Sequence, residues 1–494
     1  MERARCWPRW ALLAAAFVGV GLAVVSGCVS APPQVDGVPA TSSSPAQPWR
    51  PPARKPAALP SAALLPTPED EERLAHLGLV EVVDLALANN PATRAAWADA
   101  KAAAAQYGAD RGEWLPTVNA EGTWTRGNAA ATQVSAGAAP TTTYGANLSL
   151  SWLLLDGGGR AGRVEASKQA LLAANWTQNA AIQDRVLEVE VAFYTYAGAK
   201  AILAANRVSL ADAETSLAAA QELHEVGLAT VADVLQARTA LAQARLETQD
   251  TEGQVRTTRG VLAVSMGYPA HLPYDIEIET PPVPPGAVTA TVDSLIEQAV
   301  VGRPDLQAAR ARALAAVARV RAARSEQLPL LSLSASSGEI WRDGAGSDRS
   351  SASVLLRFPV FSGFAPQHDL AAAAAAAQAA GERARGLEQR VIYEVFAAHS
   401  DLLTAGQRLV TADELLTSAT QSEQVALGRY REGTGDILDL LSAQRTLAVA
   451  RAHQINARLA WFTALARLAR NAGVLGLHGD NPLAPGNLHP EVEK

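Results

Sequence analysis

The chain has 494 residues, 48% of them hydrophobic but only 5% aromatic, with a net charge of −7. An acidic balance excludes nucleic acid as a natural partner. The abundance of Ala suits closely packed helices rather than one thick core, over a length sufficient for two or three ordinary domains.

Arg3, Arg5 and Arg9 precede an apolar run from Ala11 to Val25, followed by Val25-Ser26-Gly27-Cys28. A run of about 15 residues is short of the roughly 20 that span a bilayer, and it reads as a signal peptide over residues 1–27. Val-Ser-Gly-Cys resembles a bacterial lipobox, which makes Cys28 the first mature residue and the lipid attachment site. Val29 stands where lipoproteins kept at the inner membrane carry Asp, so the address is the outer membrane. Cleavage removes three Arg and one Glu, leaving −9, and removes Cys6, so no disulfide can form within the mature chain. Residues 28–73 are rich in Pro, Ala and Ser and read as a tether.

From there the sequence says everything twice. Asn89-Asn90-Pro91 matches Gly302-Arg303-Pro304, and Leu115-Pro116 matches Leu328-Pro329, both with an offset of 213. The turn at Gly157 matches Gly363, and the turn at Gly227 matches Gly433, with an offset of 206. The missing seven residues lie between Leu-Pro and the first glycine turn, and are expected in one loop. The expected organisation is a first repeat at 74–267, a Pro-rich linker at 268–291, a second repeat at 292–473 and a tail at 474–494. Each repeat reads as a helix ended by Leu-Pro, two strands, a very long helix, a Gly turn and a returning helix.

All four strands alternate with period two. Val118, Ala120, Gly122 and Trp124 oppose Thr117, Asn119, Glu121 and Thr123; Tyr144, Ala146, Leu148, Leu150 and Trp152 oppose Asn147, Ser149 and Ser151. Leu331, Leu333 and Ala335 oppose Ser332, Ser334 and Ser336. The fourth strand is expected to run on through Val354, Leu356, Phe358 and Val360. A soluble half-buried sheet would alternate too. The length of about ten residues and the aromatics at the strand ends favour strands that cross a bilayer. A barrel in lipid must close, and known ones need at least about eight strands, so four per chain predicts an oligomer.

No Pro interrupts residues 162–226. Val189, Tyr196, Leu203, Leu210 and Leu217 recur every seven residues, as do Val395, Leu402, Leu409 and Leu416. A sustained heptad seam predicts long antiparallel coiled-coil helices. The fold class expected is an α+β membrane protein with an internal two-fold repeat.

The lipobox, the paired Leu-Pro junctions, the LDGGGR and FSGF turns and the VGLATVADVL and EGTGDILDLL hairpin tips together resemble the TolC family of outer-membrane efflux proteins, in its lipid-anchored, NodT-like branch. The resemblance covers Leu79 to about Gly473. It implies a homotrimer with a shared twelve-stranded β-barrel and an α-helical periplasmic barrel. The trimer would be the outer-membrane part of a tripartite efflux or type I secretion system, fed by an inner-membrane pump through a periplasmic adaptor (membrane fusion) protein. It also implies a periplasmic gate at the helical tips. Asp439 falls at the family's constriction ring, and Asp233 and Tyr430 fall in its locking network. The network's Arg is Gly435 here and the ring's second Asp is Ser442, so the lock would be rebuilt, around Asp436 or Glu432. Val226, Gly227, Leu228, Gly433 and Thr434 match the adaptor-contact tips. A plainer role is also open to the acids. Thr230 with Asp233, and Asp436 with Asp439, have the spacing of a helix cap with an acid in the first turn.

Gly157 to Gly162 fit the pattern G-x-G-x-x-G, but no second parallel strand follows within about 30 residues, as a dinucleotide site requires. The eight His are scattered, so neither an enzyme nor a metal site is indicated, and no cofactor is expected beyond the lipid on Cys28. The competing reading is a lipid-anchored periplasmic coiled-coil scaffold or adaptor whose strands form a soluble sheet.

Overall fold

The computed structural model describes residues 34–35, 38–39, 74, 76–127, 141–277, 291–342 and 345–475. The leader, Cys28, most of the tether, residues 278–290 of the linker and residues 476–494 lie outside them. The chain divides into two compact units, Met1–Ala63 and Leu64–Lys494. In the first, Gln34–Val35 pairs antiparallel with Val38–Pro39.

The second unit runs α1 (Leu79–Asn89), α2 (Pro91–Gly112), β1 (Thr117–Gly127), β2 (Thr141–Leu155), α3 (Gly159–Glu225) and α4 (Val231–Ser265). It then continues with α5 (Val292–Gly302), α6 (Pro304–Ser325), β3 (Leu330–Arg342), β4 (Ala345–Arg357), α7 (Ala365–Arg431) and α8 (Ile437–Asn471). The paired helices have equal lengths: 11 residues in α1 and α5, 22 in α2 and α6, 67 in α3 and α7, and 35 in α4 and α8. The seven-residue difference is not one loop. Strand-to-strand connection 128–140 is eleven residues longer than 343–344, while link 156–158 is four shorter than 358–364.

Proline sets the breaks. Asn90 and Arg303 are held extended, with ψ of 128° and 121°, by the prolines that follow, so α1 stops and α2 begins one residue on. Asn90 also caps α2 by accepting from the Ala92 N–H at 2.8 Å. The fourth strand ends at Arg357, short of the expected Val360. Pro359 has no N–H to give a ladder, so Phe358 and Val360 keep the alternation but leave the sheet.

The four strands form one antiparallel sheet in the order β1-β2-β3-β4, with β1 and β4 as its edges. Around the helices the same order holds. Next to the sheet, α2 lies beside α3, α3 beside α6 and α6 beside α7; farther away, α4 packs on α3, α3 on α8 and α8 on α7. At about 1.5 Å per residue, α3 and α7 are each roughly 100 Å long. Their heptad seams are filled as the sequence predicts. Val189, Tyr196, Leu203, Val395, Leu402 and Leu409 are buried, and the positions three further on are mostly Ala: Ala192, Ala199, Ala213, Ala398, Ala405 and Ala412 are buried as well. Small residues at every second seam position let these helices approach closely. Two larger cores sit near the middle of the two long helices. Val391, Val395, Leu402, Trp461 and Phe462 anchor one, and Val82, Phe193, Tyr196, Leu262 and Met266 anchor the other.

Candidate channel wall and helical tip

At one end is the sheet. Its register puts Val118, Leu150, Ala335 and Ala352 in one row across all four strands, with Trp152, Leu333 and Val354 in the row below. At the far end of the same face Trp124, Tyr144 and Trp341 form a row, and the last two rings stack at 5.4 Å. The opposite face carries two hydroxyl and amide rows, Thr117-Ser151-Ser334-Ser353 and Asn119-Ser149-Ser336-Ser351. Two of the cross-strand serine pairs are hydrogen-bonded, Ser334 to Ser353 at 2.7 Å and Ser336 to Ser351 at 2.9 Å. An apolar band ringed by aromatics on one face and Ser/Thr/Asn on the other is what a strand between lipid and water needs. Among the described residues no helix is long and apolar enough to cross a membrane.

Where strands become helices, Trp152 Nε1 donates to the Trp114 carbonyl at 3.0 Å, and Arg163 grips the Glu113 carboxylate at 2.7 Å. The Gly157–Gly162 run is a turn, not a nucleotide cradle. Gly157 and Gly158 take φ of 62° and 92°, and a Cβ on Gly162 would lie 2.7 Å from the Ala322 backbone nitrogen.

At the other end are the hairpin tips. Gly227 and Gly433 end α3 and α7 with φ of 79° and 73°, the left-handed conformation that reverses the chain. Beside them Val226 and Leu228 are 69% and 77% exposed, and Thr434 turns its hydroxyl back to the Arg429 carbonyl. Tyr430, Ile437 and Leu440 of one tip pack with Ala220 and Ala237 of the other in a small core. The Asp233 carboxylate accepts from the Thr230 N–H at 2.7 Å and from its hydroxyl at 2.9 Å, completing a capping box. Asp436 caps α8 by accepting from the Leu438 N–H, and Asp439 stands exposed in the first turn.

The structure thus brings Tyr430 near Asp233 and Asp436. Burial, then these two acids, push the Tyr430 phenol above its usual range. Its hydroxyl, however, is buried with no hydrogen-bond partner. Gly435 has no room for the family's Arg without movement, since a Cβ there would sit 3.0 Å from that of Arg429. Glu432 is exposed at the end of α7.

Two features near the middle have no signature in the sequence. Arg303, whose side chain is 2% exposed, pairs with Asp305 and Glu394, each at 2.6 Å; Arg470 joins Asp184 at 2.7 Å and reaches both other acids within 3.9 Å. Glu190 on α3 lies largely buried, and burial pushes its carboxyl up to about 7.

A four-stranded sheet of this polarity with 67-residue helices is the fold of an outer-membrane channel subunit. The chain matches the family model for outer membrane efflux protein over residues 82–268 and 295–474. It therefore belongs to the outer membrane efflux protein family. Protein CyaE of Bordetella pertussis is 32% identical over 446 residues, 87% of this chain and 92% of that protein. Outer membrane protein OprJ of Pseudomonas aeruginosa is 31% identical over 386 residues, 74% of this chain and 78% of that protein. A membrane protein crystal structure from Pseudomonas aeruginosa superposes with a TM-score of 0.72 at 29% identity, over 80% of this chain and 93% of that one. The outer membrane protein VceC of Vibrio cholerae shares the fold, with a TM-score of 0.71 at 21% identity over 83% and 99% of the two chains. The chain is therefore an outer-membrane efflux protein.

Proposed function

We propose that three copies close side by side into a conduit that carries solutes passively out of the periplasm. The observation that supports this reading is the open sheet, whose β1 and β4 edges have no partner strand among the described residues. Unpaired edges are not tolerated in lipid, and three chains supply twelve strands. The helices on the same two sides also carry apolar residues that stand exposed among the described residues. On α7, Phe396, Leu403 and Val410 are exposed at intervals of seven, one position round from its filled seam; on the far side α2 exposes Trp97 and α4 exposes Leu235, Leu246 and Val261. Closure puts α7 of one copy against α2 and α4 of the next, with the serine rows facing the lumen. Cys28 carries lipid, and the chain enters the outer membrane with a lipid anchor.

In this reading the tips meet a periplasmic adaptor through the exposed Val226 and Leu228, with Gly227, Gly433 and Thr434 shaping the turn, and an inner-membrane pump supplies the solute. Asp439 of each copy lines the closed mouth. Tyr430 holds the mouth shut by packing on Ile437 and Leu440, with Asp233 and Asp436 fixing the helix starts.

The test is the full-length protein purified from outer membranes in detergent. An unboiled band at three times the monomer mass in SDS, with ion conductance in planar bilayers, supports the conduit. A monomer that does not conduct would instead favour the lipid-anchored scaffold. Acylation is read separately, from the mass of the mature N-terminal peptide and its loss in Cys28→Ala.

A further inference from the structure

We infer that the β4–α7 link of one copy locks onto the end of α2 in the next, with Phe364 as the plug; this rests on the side-by-side closure proposed above. The β2–α3 link packs on the end of α6 and the link that follows it. A Cβ on Gly157 would lie 2.7 Å from that of Leu328, one on Gly159 would lie 3.2 Å from that of Ser325, and Gly162 abuts the α6 backbone. The repeat offsets of 206 and 213 carry each side of this contact to an edge of the molecule. Gly157, Gly159 and Gly162, which make the contact, become Gly363, Ala365 and His368; Gly158, where a Cβ would meet open space, becomes Phe364; and Ser325 and Leu328 become Gly112 and Leu115. In a single chain these two groups lie at opposite edges of the sheet, at the end that bears the helices. When the edges of two copies pair, the groups meet.

Three observations fit that meeting. Phe364 is 62% exposed and Leu115 is 68% exposed, and among the described residues nothing beyond the local backbone lies within 4 Å of where side chains would grow from Gly108, Gly112 or Gly363. The sizes are also exchanged. Within the chain, Gly159 on α3 receives the larger Ser325 of α6, and Gly162 lies against the α6 backbone at Ala318 and Ala322. At the edges, Gly112 on α2 stands in the place of Ser325, with Gly108 one turn before it, and the larger Phe364, Ala365 and His368 stand in the places of the glycines. Because α2 runs toward the sheet and α7 away from it, the four-residue steps Gly112 to Gly108 and Phe364 to His368 run in register. Finally, Phe364 is the only non-glycine with a positive φ among the described residues, at 63°, where its counterpart is Gly158 at 92°. L side chains rarely adopt that conformation. An aromatic there is unfavourable for the lone chain, and the contact with the next copy supplies its use. Phe361 steadies the ring edge-to-face at 5.5 Å.

The test uses full-length protein in outer membranes. The pair Gly112→Cys with Ala365→Cys takes the places of Ser325 and Gly159, whose Cβ separation of 3.2 Å needs only a few tenths of an ångström of opening to reach that of a disulfide. Under mild oxidation the double variant is expected to give a covalent ladder up to trimer on boiled, non-reducing gels, and neither single variant should. An unboiled trimer that yields only monomer after boiling overturns the lock while leaving the conduit intact; a wild type that is monomeric overturns the conduit itself. Should the double variant not assemble, Phe364→Gly decides. Relief of the backbone alone would leave the dissociation temperature of the unboiled oligomer unchanged or raise it, and either result overturns the proposal. A plug predicts that it falls. If the link instead anchors in the bilayer, the cross-link is absent, and that too counts against the lock.

Discussion

The guanidinium of Arg303 lies 2.6 Å from Glu394 on α7 and forks onto Asp305 at 3.0 and 2.6 Å. This one buried cation ties the start of α6 to the middle of the 67-residue helix, and Arg470 extends the network to Asp184 on α3. Removing one partner of a buried pair costs more than the pair contributes, because the remaining charge is left without water. Glu394→Gln is expected to destabilise the protein by about 3 kcal/mol, the low end for such losses because Asp305 remains. Chemical denaturation of the solubilised protein measures it, and a change near zero would show that water reaches Arg303. Burial alone would raise the Asp305 carboxyl, but Arg303 and Arg470 hold it below its usual range. Its contribution is therefore present above the ordinary Asp range and lost as the pH falls below it.

Glu190 behaves in the opposite sense. Burial pushes its carboxyl from 4.5 up to about 7. The folded chain holds the proton that the unfolded chain releases, so the contribution of this group to stability is greatest below about 4.5, declines as pH rises to about 7 and is level above that. The decline attributable to this group is up to about 3 kcal/mol. Glu190→Gln should flatten that slope and make the protein more stable than wild type at pH 8. Melting curves in detergent from pH 4 to pH 9 check it; parallel curves for the two proteins would refute the assignment.

Much of this architecture is legible without coordinates because it is local. Leu-Pro ends a helix, glycines with left-handed φ turn the chain, and Val395, Leu402 and Leu409 mark a seam by spacing alone. Phe358 and Val360 carry the alternation past the end of the fourth strand at Arg357, so spacing alone makes it too long. Pro359 was the signal that it stops. The capping box at Thr230 and Asp233 formed as its spacing suggests, whereas Asp436 uses the Leu438 N–H, so equal spacing gave only half of the second box. The Arg303 network left no trace of this kind. Glu394 is 91 residues from Arg303 and Asp184 is 286 from Arg470, and the repeat conceals the site because Asn90 stands in place of Arg303. The exposure of α4 and α7 likewise follows from the order of the helices, which no single helix encodes.

At the tip, the unpartnered Tyr430 hydroxyl separates two ways of closing a mouth. If packing holds it, Tyr430→Phe leaves closed-state conductance unchanged and is neutral or stabilising by about 1 kcal/mol, since a buried polar group without a partner is removed. Tyr430→Ala opens a cavity beside Ile437 and Leu440, is expected to lose about 3 to 5 kcal/mol locally, and raises the conductance. Single-channel recordings distinguish them. Opening in Tyr430→Phe would mean that the hydroxyl finds a partner in the assembled mouth.

Asp439 carries the remaining question, whether an acid in the first turn of α8 serves the helix or the pore. As a first-turn acid it gains from the helix dipole about 0.3 to 1 kcal/mol, and Asp439→Asn would cost no more than that. Three such carboxylates around one axis would also concentrate cations at the mouth. The helix role predicts a small loss of stability and no change in ion preference; the pore role adds weaker cation selectivity and a weaker salt dependence of conductance. Reversal potentials across a salt gradient, compared for wild type and Asp439→Asn, measure the second effect apart from the first. Equal reversal potentials would leave Asp439 as a helix-start residue alone and remove it from the gate.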